Sequence, residues 1–341
     1  MQTIHEPFSV IIPTYNEEAS IGTVVRRLAR VSDTTGCEYE ITVVDDGSSD
    51  QTAQVAEKAG AHVLCHQKNK GYGAALKTGI NAALYEYIVI VDGDATYPIE
   101  PIPEMLRLLE SADMVVASRT GQNVSSPLLR RPARWILRKL AGYITGEHIP
   151  DLNSGLRAFR RQCVLQYFSI LPDKFSFTTT ITVAMLSDGY KVTYIPVDYY
   201  QRVGKSKIVS WDFINFVTLV LRLSMLFQPL KVFVPVALLS LMLGLGKFIL
   251  DIVLAFQRVQ EISLSLISQP IVSTTSVIFL LSALQILLIG MMSDGIARKI
   301  SQRMPSQYQS SSVLKNQVES PANTGSLKDI KYADKASQQK N

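Results

Sequence analysis

The chain has 341 residues, 34 lysines and arginines against 29 acidic side chains, and a formal net charge of +5. That length is ample for a hydrophobic core and allows two or three domains. A hydrophobic share of 47% is high for a chain held wholly in water, and it directs attention to membrane segments. The three cysteines (Cys37, Cys65 and Cys163) form no CxxC, which argues against a thiol redox or metal motif and predicts buried free thiols. The start, "MQTIHEPFSVIIP", lacks a basic stretch followed by a long apolar one, so no secretory signal is expected.

Apolar β-branched runs then alternate with helical patterns. "FSVII" precedes a helix through Ile21, Val24, Val25 and Leu28, and "ITVV" precedes one that begins near Asp50. "AHVLC" leads into "GAALKTGINAAL", "YIVIV" into "IPEMLRLLE", and "MVVAS" ends at Arg119. Strands apolar on both faces, alternating with helices, predict an α/β fold with a mostly parallel sheet covered by helices. Ligands of such sheets bind beyond the carboxyl ends of the strands. The polar residues gather there: "PTYNEE" after the first strand, "DDGSSD" after the second, "DGDATYP" after the fourth and "SRTG" after the fifth.

Residues 122–201 are less regular. They hold a basic helix, "LLRRPARWILRKLAGYI", then "IPDLNSGLRAFRR", "FSFTTTITVAML" and a strand-like "YKVTYIPVDYY". Phe175, Phe177 and the run Thr178 to Thr180 are read as packing. Residues 208–230 are apolar but broken by Asp212, Asn215 and Arg222, which suits a helix lying in a membrane interface. Residues 231–257 and 270–293 are each long enough to cross a hydrocarbon core of roughly 30 Å. Lys205, Lys207, Arg222 and Lys231 precede the first span, Arg298, Lys299 and Arg303 follow the second, and the loop between them holds Arg258. The positive-inside rule then puts both termini, and the domain of residues 1–207, in the cytoplasm. Lys247 and Asp251, one helical turn apart in the first span, either handle lipid or neutralise each other. Residues 304–341, rich in Ser, Gln, Asn and Lys, are expected to be disordered.

Chemistry concentrates at the strand ends. Asp92 and Asp94 flank Gly93, and two carboxylates converging there suit a hard divalent ion whose open positions take diphosphate oxygens. A solvated acidic turn is the plainer alternative for an isolated DxD, but "VVDDGSSDQT" adds Asp45 and Asp46 at a neighbouring strand end. These suit hydrogen bonds from a nucleotide base and ribose, with Ser49 or Asp50 capping the following helix. "NKGYGAALKTG" offers a rival, a dinucleotide fingerprint, but Leu76 stands where its third glycine belongs. The four histidines have no metal-ligand spacing.

Taken together, "VIIPTYNEE", "VVDDGSSD", "NKGYGAA", "VDGDATYP" and "ASRTG" resemble the family 2 glycosyltransferases, which have the GT-A fold. They span most of the first 120 residues and are specific as a set. "DLNSGLRAFRR" and "QRVGKSK", followed by membrane spans, resemble more narrowly the polyprenyl-phosphate glycosyltransferases of the dolichol-phosphate mannose synthase type. The resemblance implies that Pro13, Tyr15, Glu17, Asp45 and Asp46 line the nucleotide site, with Gly71 and Gly73 of "NKGYGAA" beside them. It implies that Asp92 and Asp94 handle Mg²⁺ or Mn²⁺ and the diphosphate. Relatives often place Gln two residues past the second aspartate; Thr96 stands there, so the resemblance leaves the third metal ligand open, with water able to fill that position.

A lipid phosphate is already anionic near neutral pH, its second pKa being about 6, and can attack an anomeric carbon without a general base. It needs cationic guidance, for which Arg119, Arg130 and Arg131 are the candidates. Arg134 and Arg138 serve equally well as a solvated face or an attraction to anionic headgroups. Arg202, Lys205 and Lys207 could close over the donor diphosphate, or anchor the chain beside the membrane. Asp151 is a base if the acceptor is a hydroxyl; with a phosphate acceptor it orients an arginine such as Arg157. The expected catalytic set is thus Asp94, Asp151, Arg119 and Arg131. The expected reaction is inverting transfer of one sugar from a UDP- or GDP-hexose to polyprenyl or dolichyl phosphate at the cytoplasmic membrane face. Two alternatives remain: extension of a lipid-linked saccharide, and a nucleotide-sugar-binding scaffold without activity. "PARW" lacks the Gln of the QxxRW motif carried by processive synthases. The bilayer is an expected partner and a second copy of the chain a possible one; nucleic acid is not expected.

Overall fold

The computed structural model describes residues 6–119, 131–174, 176–198, 227–260 and 271–303, with isolated positions between 218 and 225. Its strands are β1 (Phe8–Thr14), β2 (Tyr39–Asp45), β3 (His62–Cys65), β4 (Tyr87–Ile90), β5 (Met114–Arg119), β6 (Arg157–Arg160) and β7 (Val192–Val197). The helices are α1 (Glu18–Asp33), α2 (Thr52–Lys58), α3 (Tyr72–Ala82), α4 (Ile102–Leu108), α5 (Arg131–Thr145), α6 (Arg161–Leu165), α7 (Phe177–Ser187), α8 (Leu230–Gln260) and α9 (Thr274–Arg303).

The strands make one seven-stranded sheet in the order β3-β2-β1-β4-β6-β5-β7. β1 pairs in parallel with β2 and β4, placing Thr14 opposite Asp45 and Ile11 opposite Ile90. β2–β3 and β5–β7 are parallel as well. The α/β reading with a mostly parallel sheet therefore holds, with one addition. β6 runs antiparallel between β4 and β5, and its approach brings residues 151–156 to the same edge as the ends of β4 and β5.

Side-chain alternation explains why the strands read as continuous apolar runs. Val10, Ile12, Ile41, Val43, Val89 and Val91 face α1 and α4, where Ile21, Val25, Leu28, Ile102 and Met105 meet them. Ile11, Val44, Ile88, Ile90, Met114 and Val116 face the other layer, against Leu76 and Ile80 of α3 and Phe177 and Ile181 of α7. Each such side chain contributes about 1.5–3 kcal/mol by leaving water. The threonines after Phe177 are buried with it, as expected of packing residues. The cysteines depart from expectation. None is in a disulfide, yet only Cys163 is buried; Cys65 is exposed because β3 is the edge strand.

α8 and α9 form an antiparallel pair, with Ser240 donating to the Phe279 carbonyl at 2.9 Å and Asp251 meeting Ser273 and Ser276. Their apolar stretches, Leu230–Gln257 and Thr274–Ala297, have 28 and 24 residues. At 1.5 Å per residue these reach about 42 and 36 Å, enough to cross a membrane. Asp251 pairs with Lys247 and accepts from Ser273 N (3.0 Å), Ser273 Oγ (2.6 Å) and Ser276 Oγ (2.6 Å). The charge within this apolar pair is thus neutralised locally, and Asp251 caps the start of α9. At the other end of α8, Lys231 Nζ donates to the Ile144 carbonyl at 2.7 Å and Tyr143 to the Lys231 carbonyl at 3.2 Å, tying α5 to the base of the hairpin. Residues 1–297 form one compact unit and 298–341 a second, of which residues 298–303 are described, as helix.

Candidate active site

Because β1, β2, β4 and β5 run the same way, their carboxyl ends deliver four polar segments to one edge. The first two are clasped together. Asn16, in the left-handed region at φ 54°, donates its N–H to Ser48 Oγ at 2.9 Å and accepts from Ser49 N at 2.9 Å. Glu17 N donates to Thr52 Oγ1 at 2.9 Å, and Gln51 N to Glu18 Oε2 at 3.1 Å. Asp50, rather than Ser49, accepts the Thr52 N–H, at 3.0 Å. Burial works against the charge of Asp50, but bonds from Thr52 and Glu18 outweigh it and hold its carboxyl below the usual range. Pro13 lies in β1 opposite Val44; Tyr15, 37% exposed, and Glu17 follow at the strand's end.

Asp45 and Asp46 part company by strand parity. Asp45 follows Ile41 and Val43 toward α1 and accepts the N–H of Ser48 at 3.2 Å together with its hydroxyl. Asp46 follows Val44 toward α3 and is committed to the chain itself. Its carboxylate accepts Lys70 N (2.9 Å) and Gly71 N (2.8 Å) and meets His66 Nδ1 (2.7 Å), whose Nε2 lies 2.9 Å from Thr78 Oγ1. Asp46, expected beside the nucleotide, fastens the loop before α3.

Gly71 and Gly73 likewise have a packing reason. A Cβ would lie 2.5 Å from the Asp173 carbonyl oxygen at Gly71 (φ +111°), and 2.1 Å from that of Pro172 at Gly73. Asp173 O also accepts the Ala74 N–H at 2.9 Å. The glycines admit residues 172–174 against the start of α3, which leaves the dinucleotide fingerprint no open helix end.

At the end of β4 the parity of Ile88 and Ile90 carries Asp92 toward α3, where Tyr72 donates to its Oδ1 at 3.0 Å. Its Oδ2 rests on the bare Cα of Gly155, at a spot 2.0 Å from where a Cβ would stand. Burial first, and then the charge of Asp92, raises the Tyr72 hydroxyl well above its ordinary pKa, so it stays a donor. Asp94 closes a turn through Ala95 (φ 58°), accepting Thr96 N at 3.1 Å and Thr96 Oγ1 at 2.5 Å. Ser20 fixes the loop by donating to the Gly93 carbonyl at 2.8 Å.

Carboxylate oxygens are the donors that a hard divalent cation prefers. Among the described residues no group of three or more His, Cys, Asp or Glu is placed to hold a metal ion by itself. Thr96 is buried, and its hydroxyl is bonded to Asp94. Such a pair suits an ion that completes its shell with diphosphate oxygens and water.

Across from it, Arg119 and Asp151 form a two-point ion pair. Nε lies 2.6 Å from Oδ2 and Nη2 2.8 Å from Oδ1, with Arg119 N adding a bond at 3.3 Å. Burial opposes the charge of Asp151, but Arg119's hydrogen bonds and charge outweigh it and hold the carboxyl below its usual range. The arginine that Asp151 binds is thus Arg119, where Arg157 was the example expected. Arg157 is fully buried beneath, donating to the carbonyls of Ser154 and Leu152, each at 2.8 Å, and to Thr182 Oγ1 at 2.5 Å. Arg138 donates to the Pro150 carbonyl at 3.2 Å. Arg131 opens α5; its side chain lies outside the described residues, as do Arg130, Arg202, Lys205, Lys207 and most of residues 208–230.

Tyr72, Tyr97 and Gly155 were missed by motif reading. Tyr97 accepts the Gly155 N–H at 2.7 Å.

Comparisons with known proteins bear on the family and the fold. The pattern of glycosyl transferase family 2 matches residues 9–168, and that of the GtrB C-terminal hairpin matches residues 228–298. A dolichyl-phosphate hexose transferase of Haloferax volcanii is 30% identical over 205 residues, covering 60% of this chain and 87% of its own. An undecaprenyl-phosphate 4-deoxy-4-formamido-L-arabinose transferase of an Enterobacter species is 31% identical over 222 residues, 63% of this chain and 66% of that one. Among solved structures, glucosyl-3-phosphoglycerate synthase of Mycobacterium tuberculosis shares the fold at TM-score 0.50 and 21% identity, over 64% of this chain and 80% of that one. A mixed sheet with its acidic loops at one edge, a matching sequence pattern and a relative aligned over most of its length converge: the chain belongs to glycosyl transferase family 2.

Proposed function

We propose that the protein transfers one hexose from a UDP- or GDP-sugar to a polyprenyl or dolichyl phosphate, with inversion, at the cytoplasmic face of a membrane. The lipid phosphate oxygen attacks C1 of the sugar, the bond from C1 to the diphosphate breaks, and nucleoside diphosphate departs. The observation that carries this reading is the Arg119–Asp151 pair. A carboxylate already bound at two points by a guanidinium, and held below its ordinary pKa, is a poor proton acceptor but a good means of aiming a cation. An arginine so aimed suits an anionic acceptor, which needs no base.

Asp45 and the clasped loops after β1 and β2 would take the nucleoside, and Asp92 and Asp94 would hold Mg²⁺ or Mn²⁺ at the diphosphate. That ion, when bound, offsets the charge gathering on the leaving group. Arg119, with Arg131 at the start of α5 and Arg130 preceding it in sequence, would receive the acceptor phosphate. The bond between α5 and the base of α8 supports this, because it sets the arginine helix beside the entry to the apolar hairpin. The names of the two relatives, both polyprenyl-phosphate sugar transferases, support the same acceptor class. Basic residues on either side of the two spans support a cytoplasmic domain of residues 1–207 with both termini on that side.

The test supplies membranes holding the protein with a panel of labelled nucleotide-sugars, short polyprenyl phosphate and Mg²⁺ or Mn²⁺. Label should enter the organic phase with one donor, and Asp94→Asn should abolish that. Label found only on water-soluble glycans would overturn the reading.

A further inference from the structure

The segment from Asp151 to Arg157 touches both halves of the site. At one end Asp151 grips Arg119. In the middle Gly155 gives its N–H to Tyr97 at 2.7 Å and its bare Cα to the carboxylate of Asp92. At the far end Arg157, fully buried, draws in the carbonyls of Leu152 and Ser154 and is braced by Thr182 on α7. Asn153 adds a turn bond to Asp151 Oδ1 at 3.0 Å and accepts the hydroxyl of Thr179. Burying a guanidinium costs several kcal/mol, and carbonyl and hydroxyl partners only partly offset it; an apolar side chain of similar volume would avoid that cost. What the guanidinium supplies that such a side chain cannot is a fixed path for residues 152–154.

We infer that Asp151–Arg157 is a positioning bridge that sets the donor-side carboxylate Asp92 and the acceptor-side Arg119 at one spacing, with Gly155 and Arg157 as its working residues. The inference rests on the assignment of Asp92 and Arg119 made above. Any side chain at residue 155 drives the Asp92 carboxylate off its seat, since a Cβ would stand 2.4 Å from Cγ and 2.0 Å from Oδ2. Loss of the Arg157 guanidinium frees the path between the two ends, so both shift together.

The test uses the full chain in detergent micelles. Mn²⁺ binding is followed by electron paramagnetic resonance in the presence of UDP and of GDP, and KM for a short polyprenyl phosphate is measured alongside. Outer partners of metal ligands typically change affinity by 10-fold or more, so Gly155→Ala should weaken Mn²⁺ by about 10-fold. Arg157→Met should weaken Mn²⁺ and raise the acceptor KM together. Tyr72→Phe, which leaves the backbone alone and removes only the hydroxyl on Asp92, should also weaken Mn²⁺ and keeps the test open if Gly155→Ala does not fold. Unchanged or tighter Mn²⁺ binding in Gly155→Ala or Tyr72→Phe, while Asp92→Asn loses it, overturns the bridge and spares the site assignment. A shift in only one of the two readouts for Arg157→Met overturns the coupling. Should Asp92→Asn itself bind Mn²⁺ normally, the metal assignment falls and the bridge with it.

Discussion

Asp151→Asn separates a base from an aiming device. Asn keeps one acceptor oxygen but sets an NH₂ against a guanidinium N–H, so one of the two contacts at 2.6 and 2.8 Å turns repulsive and the charge is lost. A hydrogen bond to a charged group contributes about 1.5–3 kcal/mol. The side chains of Arg119 and Asp151 retain 18% and 11% exposure, so solvent weakens the pair and about 2 kcal/mol is the expected loss. If Arg119 transmits that loss to the transition state, kcat/KM falls by about 30-fold. Initial rates with the labelled donor and polyprenyl phosphate measure it. Because Asp151 is held below its usual pKa, it is ionised throughout the neutral range, and the pH–rate profile of Asp151→Asn should keep the wild-type shape. Arg119→Ala should add little to Asp151→Asn, since the two act as one unit. Losses that multiply independently, or a profile that sheds an acid limb present in the wild type, would refute the aiming role.

Chelation by EDTA should stop transfer, and either Mn²⁺ or Mg²⁺ should restore it in wild type but not in Asp94→Asn, as followed by label in the organic phase. Gly73→Ala should lower stability by about 1–3 kcal/mol from overpacking against the Pro172 carbonyl, seen as a reduced midpoint in chemical unfolding. Asp251→Ala should lower the thermal unfolding midpoint of the apolar hairpin, while membrane-bound protein keeps its transfer rate. The lowered carboxyl of Asp151 also predicts an acid dependence. Its contribution to stability is complete above the unfolded value of about 3.9 and is lost as pH falls through the lower folded value. Unfolding midpoints measured down through that window should therefore fall more steeply in wild type than in Asp151→Asn.

Much of the architecture was legible in residue order. Runs such as "YIVIV" are apolar on both faces because both faces are covered, so they read as buried parallel strands, and Asp92 and Asp94 fell at a strand end by counting alone. Strand β6 was not legible. "RAFR" has four residues, no turn signal and no period that distinguishes its direction, and its place between β4 and β5 depends on how the chain returns after α5. The same holds for the neighbours Asp45 and Asp46. Adjacent in sequence, they look interchangeable; strand parity sends one to the edge of the site and the other into the loop before α3.

Local sequence alone determined the strand-and-helix alternation, the apolar hairpin and the acidic loops, because each is a pattern held within a few consecutive residues. Tertiary structure alone decided which cation Asp151 holds, why Gly71, Gly73 and Gly155 have no side chains, and where Asp92 rests. Those contacts join residues tens of positions apart, across an antiparallel strand and a helix start. Such distances carry no period, and only packing brings the partners together.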